Sequence, residues 1–105
     1  MTRTATHYVR HSNGTILTAS EREYQALRLA AAGLNIDDIA RIMGIHRATV
    51  NSYISRWLER IGAHNKAMLA VWAVQVGLIT PADVWDIWET QVPELAAWQH
   101  AEMTP

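Results

Sequence analysis

Residues Asn35-Ile36-Asp37-Asp38-Ile39-Ala40-Arg41-Ile42-Met43-Gly44-Ile45-His46-Arg47-Ala48-Thr49-Val50-Asn51-Ser52-Tyr53-Ile54-Ser55-Arg56-Trp57-Leu58-Glu59-Arg60-Ile61-Gly62 decide the fold. Ile36, Ile39, Ala40 and Met43 recur at the spacing of one apolar helical stripe. Asn35 is a capping residue for that helix, and Asp37 and Asp38 sit in its electropositive first turn. Gly44 ends it. A longer helix starts near His46 or Arg47, with Val50, Ile54, Trp57 and Ile61 on one face and Leu58 beside them, and Gly62 closes it. Ala40 is small where two crossing helices must approach, Gly44 permits a sharp turn, and Ile45 and Val50 plug the angle between the helices. A short helix, a glycine-containing turn and a second helix make a helix-turn-helix.

Turning the second stripe inward leaves Arg47, Ala48, Asn51, Ser52 and Ser55 outside, with Arg56 beside them. That face is short, polar and uncharged at its centre. Such a face enters a major groove and offers hydrogen bonds to base edges.

Upstream, Ser20 followed by Glu23 is a capping box, with Thr18 and Glu21 as a competing start. The helix it opens carries Leu27, Ala30 and Ala31 on one face and stops at Gly33. Downstream, Asn65 caps a fourth helix that ends at Gly77. Its segment Ala67-Met-Leu-Ala-Val-Trp-Ala-Val is apolar all round, so the face turned from its own core must meet either the tail or a second chain. Thr80-Pro81-Ala82-Asp83 is a strong start for a fifth helix bearing Val84, Trp85, Ile87 and Trp88. Pro93 breaks it, and Glu94 to Met103 forms a last short helix through Leu95 and Trp98. Before the first helix, Ser12-Asn13-Gly14 is a turn, and Tyr8-Val9 and Ile16-Leu17 form a short extended arm. No β-sheet is expected, and the class is all-α.

The ordered set Gly33-Leu34, Ile39-Ala40, Gly44-Ile45, Thr49-Val50, Leu58, Gly62-Ala63 and Asn65 resembles the core of the LuxR/GerE family over roughly residues 18–79. The resemblance implies a four-helix DNA-binding domain, with residues 1–17 as an arm and residues 80–105 as one or two extra helices. It implies a transcriptional regulator whose helix over residues 46–61 reads double-stranded DNA. The family's base-facing positions fall on Asn51, Ser52 and Ser55, joined by Arg47 at the start of the outer face. Its phosphate-gripping positions fall on Thr49, Tyr53 and Arg56. Asn pairs bidentately with adenine, whereas Thr, Tyr and Arg donate to phosphate oxygens and fix register. The chain departs from the family where Lys is common (Asn51), where His is common (Tyr53) and where Ser or Thr usually caps (His46). The family's Leu-Thr signature is displaced by about two residues, to Leu17-Thr18. Loss of the Lys implies weak electrostatic affinity, offset by dimerisation or a helper protein.

Relatives commonly dimerise through the fourth helix, which makes Met68, Val71, Trp72, Trp85 and Trp88 the expected dimer or partner surface. Tryptophan is enriched in interface cores, and this chain has five in 105 residues. A homodimer is expected, since helix-turn-helix modules read paired half-sites about one DNA turn apart.

Composition narrows the alternatives. The chain is half apolar, has no cysteine and carries a formal net charge of −1. Disulfides and thiolate chemistry are excluded. Residues 1–17 contain Arg3 and Arg10 and no acid, whereas residues 80–105 contain acids but no Lys or Arg. Local positive charge, rather than a positive total, is what DNA binding requires. His7 and His11 lie in a segment without helical period, and His46 and His64 lie at opposite ends of a helix, so no zinc site is expected. No nucleophile–base spacing or phosphate-binding glycine loop appears, and Gly62-Ala-His-Asn-Lys lacks that loop's spacing. The expectation is a non-enzyme without cofactor. No signal peptide is legible, and the longest apolar run, Ala67 to Val74, is too short to span a bilayer. The expected place is the cytoplasm, on the nucleoid, with no membrane partner. Residues 1–17 are too few for a sensor domain. The competing reading keeps the fold but docks RNA polymerase, a sigma factor or another regulator, supported by the lysine-poor face and the acidic tail.

Overall fold

The computed structural model describes residues 6–94. The helix expected beyond Glu94, with Leu95 and Trp98, lies outside the described residues.

Two strands precede the helices. β1 (Thr6–Arg10) pairs antiparallel with β2 (Ile16–Ser20), Tyr8 opposite Thr18 and Val9 opposite Leu17. Val9, Leu17 and Ala19 are buried, whereas Tyr8, Ile16 and Thr18 face outward. The turn is held by His11 N donating to Thr15 O at 2.8 Å and Thr15 N donating to Asn13 Oδ1 at 2.9 Å. This small sheet corrects the expectation that there would be none. Its alternation runs over five residues a side, too short to stand out as a period. A lone hairpin is marginal in water, and here its inner face is completed by α1 and the core.

The predominantly helical class holds, and the chain's own capping chemistry sets the boundaries. α1 (Glu21–Ala31) starts at the Ser20–Glu23 capping box, with Glu23 N bonding Ser20 Oγ and Ser20 N bonding Glu23 Oε1. α2 (Ile36–Met43) starts at Asn35, whose Oδ1 accepts from Asp38 N at 2.8 Å. Gly44, at φ +66°, turns the chain sharply toward α3 (Arg47–Ile61). His46 caps α3 without a side-chain hydrogen bond, the weaker cap its chemistry foretells. α4 (Lys66–Gln75) and α5 (Pro81–Gln91) start at Asn65 and at the Thr80–Asp83 capping box.

One core joins all of these. Trp57, Leu27, Ile39, Leu69, Val50, Ile79 and Val92 are its largest fully buried side chains. α4 turns Leu69, Trp72 and Ala73 inward against α1 and leaves Met68, Val71 and Val74 outside. Trp72 therefore leaves the expected partner surface. Its indole is buried, 6.3 Å from the Trp57 ring and edge-on to His11 at 5.8 Å. Trp85 and Trp88 are half-buried, and Trp88 Nε1 donates to Ala32 O at 2.7 Å. That bond, with Arg28 Nη1 to Leu78 O at 3.1 Å and Arg28 to Asp83 at 3.7 Å, ties the start of the acidic tail back to α1. Among the described residues, no helix is long and apolar enough to cross a membrane, and no group of three or more His, Cys, Asp or Glu is placed to hold a metal.

Candidate nucleic-acid interface

The helix-turn-helix positions the site through the inner face of α3. Val50, Ile54 and Trp57 are buried. At about 100° per residue, Ala48, Ser52, Ser55 and Glu59 occupy the opposite, outermost stripe. All four are exposed. On the flank toward α2 lie Arg47 and Asn51, exposed, which with Ile36 and Ala48 line an open hollow of about 360 Å³. On the other flank, toward α1 and the hairpin, lie Thr49 and Tyr53, half-buried, and Arg56 and Arg60, exposed. The expected base-facing set is therefore contiguous, and the expected phosphate-facing set runs along one margin of it. The apolar surface expected on α4 survives in part, with Met68 and Val71 outside and Val74 continuing the row.

The electrostatics of the face differ from a plain basic patch. Arg47 Nε lies 2.6 Å from Asp37 Oδ1, both side chains about 70% exposed. Arg56 Nη1 lies 3.4 Å from Glu23 Oε2. Glu23 Oε2 also accepts from Trp57 Nε1 at 3.0 Å. Burial of the Glu23 carboxyl works to raise its pKa. The Trp57 indole, the Ser20 amide and hydroxyl, and the Arg56 charge together outweigh it and hold the group below its ordinary value. Arg60 lies 4.4 Å above the Trp57 ring and donates to Thr18 O at 3.3 Å. In the first turn of α5, Asp83 is likewise held below its ordinary value, first by the Thr80 amide, then by the Thr80 hydroxyl and Arg28, against some desolvation.

Asp37, Glu23 and Arg60 are members of the site that spacing arguments did not select. Asp37 and Glu23 each read as a helix-start acid, which they are. Their second role depends on which helices cross. The arrangement supplies uncharged donors and acceptors along the middle of α3 and two ion-paired guanidinium groups, one at its start and one about two-thirds of the way along. That suits hydrogen bonding to base edges better than bulk attraction to phosphate.

Residues 17–73 match the bacterial regulatory proteins of the luxR family. The transcriptional activator protein AnoR of Acinetobacter nosocomialis is 35% identical over 63 residues, which is 60% of this chain and 26% of AnoR. The regulatory protein SdiA of Escherichia coli (strain K12) is 38% identical over 60 residues, 57% of this chain and 25% of SdiA. The chain thus spans about a quarter of the length of the curated relatives it matches. Among solved structures, VqmA bound to DPO superposes with a TM-score of 0.52 at 28% identity, covering 72% of this chain and 44% of that one.

Proposed function

This chain belongs to the luxR family of bacterial regulatory proteins, and from that premise we propose that it is a sequence-specific transcriptional regulator that reads the DNA major groove with the outer face of α3. The observation that carries this reading is the contiguous exposed surface of Arg47, Ala48, Asn51, Ser52 and Ser55, laid over a buried stripe that fixes the helix against α1 and α2. Asn51 pairs with adenine, Ser52 and Ser55 bond permissively, and Thr49, Tyr53 and Arg56 hold the sugar–phosphate backbone. No catalytic step is part of the role.

The working form is a homodimer. Met68, Val71 and Val74 lie one turn apart on α4 and are 42%, 61% and 50% exposed. A twofold contact along that row excludes them from water and sets two copies of α3 on successive turns of DNA. Trp85 is half-buried on α5, whereas Trp88 is anchored to its own chain.

Selection of duplexes from a random pool by the purified protein tests both parts. Enrichment of a two-half-site motif is expected. Enrichment of a single half-site would remove the dimer, and absence of any enriched sequence would remove the DNA reading. In that case the face serves a protein partner such as RNA polymerase or another regulator.

A further inference from the structure

We infer that Asp37 restrains the sequence-independent affinity of this chain for DNA by holding Arg47 in an ion pair that any phosphate must displace. The inference rests on the DNA-reading role of α3 and names a residue that limits its attraction to the phosphate backbone.

Arg47 is the first residue of α3, a helix with no acid in its first turn and no side-chain cap. The amides of a helix start carry partial positive charge, so Arg47 adds a cation where one already accumulates. Left alone, that end of α3 would attract any polyanion. Asp37, carried by α2 across the turn, supplies the missing negative charge at 2.6 Å. It does so beside the hollow that Ile36, Arg47, Ala48 and Asn51 line.

The consequence for binding is an exchange. On random DNA, Arg47 leaves a carboxylate to meet a phosphate, one anion for another, and Asp37 is brought near the negatively charged strand. Little is gained. On the target, the uncharged contacts of Asn51, Ser52 and Ser55 form in addition and carry the binding, while the cost of opening the pair is the same. Because both partners are about 70% exposed, the pair is weak and opens readily. It therefore lowers affinity for every duplex modestly, and the base contacts of the target must supply the remainder.

Arg56 and Glu23 repeat the pattern further along α3. Glu23 also serves the Trp57 indole and the α1 cap, so changing it disturbs the fold. Asp37 is the clean probe.

The test compares the full chain with Asp37→Asn, its folding checked by circular dichroism, on a random-sequence duplex of about three helical turns, by fluorescence anisotropy across a salt series. Asp37→Asn is expected to bind about two- to fivefold more tightly. Its log–log salt slope should steepen by about 0.9, one further phosphate. The same substitution in an Arg47→Ala background should have no more effect than Asp38→Asn, the effect of one charge removed near the strand. Asp38→Asn removes an equal charge one residue on, where the acid pairs with Arg41, and should have a smaller effect. Unchanged or weaker binding by Asp37→Asn, or a gain that persists undiminished without Arg47, overturns the inference while leaving the DNA reading intact. Failure of the wild type and every variant to bind any duplex at low salt overturns both.

Discussion

Replacing Glu23 by Ala removes an acceptor that serves three neighbours at once, and the loss can be estimated piece by piece. The Trp57 indole N–H bonds Glu23 Oε2 at 3.0 Å, and the Trp57 side chain is fully buried. A buried donor left without a partner costs about 1–3 kcal/mol. Losing the reciprocal half of the capping box, Ser20 N to Oε1 at 3.4 Å, adds about 0.5 kcal/mol. The Arg56 pair, more than half exposed on the arginine side, adds roughly 0–1 kcal/mol. Together these predict a loss of about 2–4 kcal/mol, set against the roughly 5–15 kcal/mol by which domains are stable. Urea unfolding followed by circular dichroism should show the midpoint falling by about 1 M or more with an unchanged slope. Glu23→Gln keeps one oxygen, which serves the Trp57 indole, but gives up the Ser20 N–H acceptor and the charge, and should cost about 1 kcal/mol. A loss below about 0.5 kcal/mol for the Ala variant, or equal losses for Ala and Gln, would refute the claim that a neutral acceptor on Trp57 carries most of the effect.

The remaining expectations concern the face, the dimer and pH. Asn51→Ala should relax preference at one base pair by about 1–3 kcal/mol, whereas Arg56→Ala should weaken all sequences alike, both read by gel shift on single-base-pair variants of the selected site. Val71→Asp places a charge in the middle of the exposed α4 row and should shift sedimentation to the monomer, with DNA binding weakened and circular dichroism unchanged. Glu23 titrates below its ordinary 4.5 in the fold. Its contribution is therefore complete above that value and is lost as pH falls through the lower folded one. Stability should fall less steeply below about pH 4.5 in Glu23→Gln than in the wild type, and Asp83, lowered in the same direction from 3.8, should leave a residual slope.

How much of this was legible beforehand follows from the range of each interaction. The helix starts at Ser20, Asn35, Asn65 and Thr80 were readable because a cap and its partner lie within three residues. The apolar stripes of α2 and α3 were readable because their period is local, and with them the outward position of Asn51, Ser52 and Ser55. The hairpin was half legible: its turn and both extended pieces were visible, but pairing Val9 with Leu17 gains its value only from α1 beneath. Tryptophan misled for a related reason. Trp72 lies on a helix apolar on every side, so periodicity could not say which side faces in, and the contact with Trp57 and His11 decides it. The pairs Arg47–Asp37 and Arg56–Glu23 join different helices, and only the crossing of those helices brings the charges together.

Arg60 is clasped between the Trp57 ring and the carbonyl of Thr18, and His11 Nε2 meets Ile61 O at 3.3 Å nearby. The last turn of α3 is thereby riveted to the hairpin at two points. The strands work as a buttress, fixing the pitch at which α3 is presented. A force or a ligand that prises β2 away would let go of the helix end at the same moment, so the pitch of α3 and the seating of the hairpin form one mechanical variable.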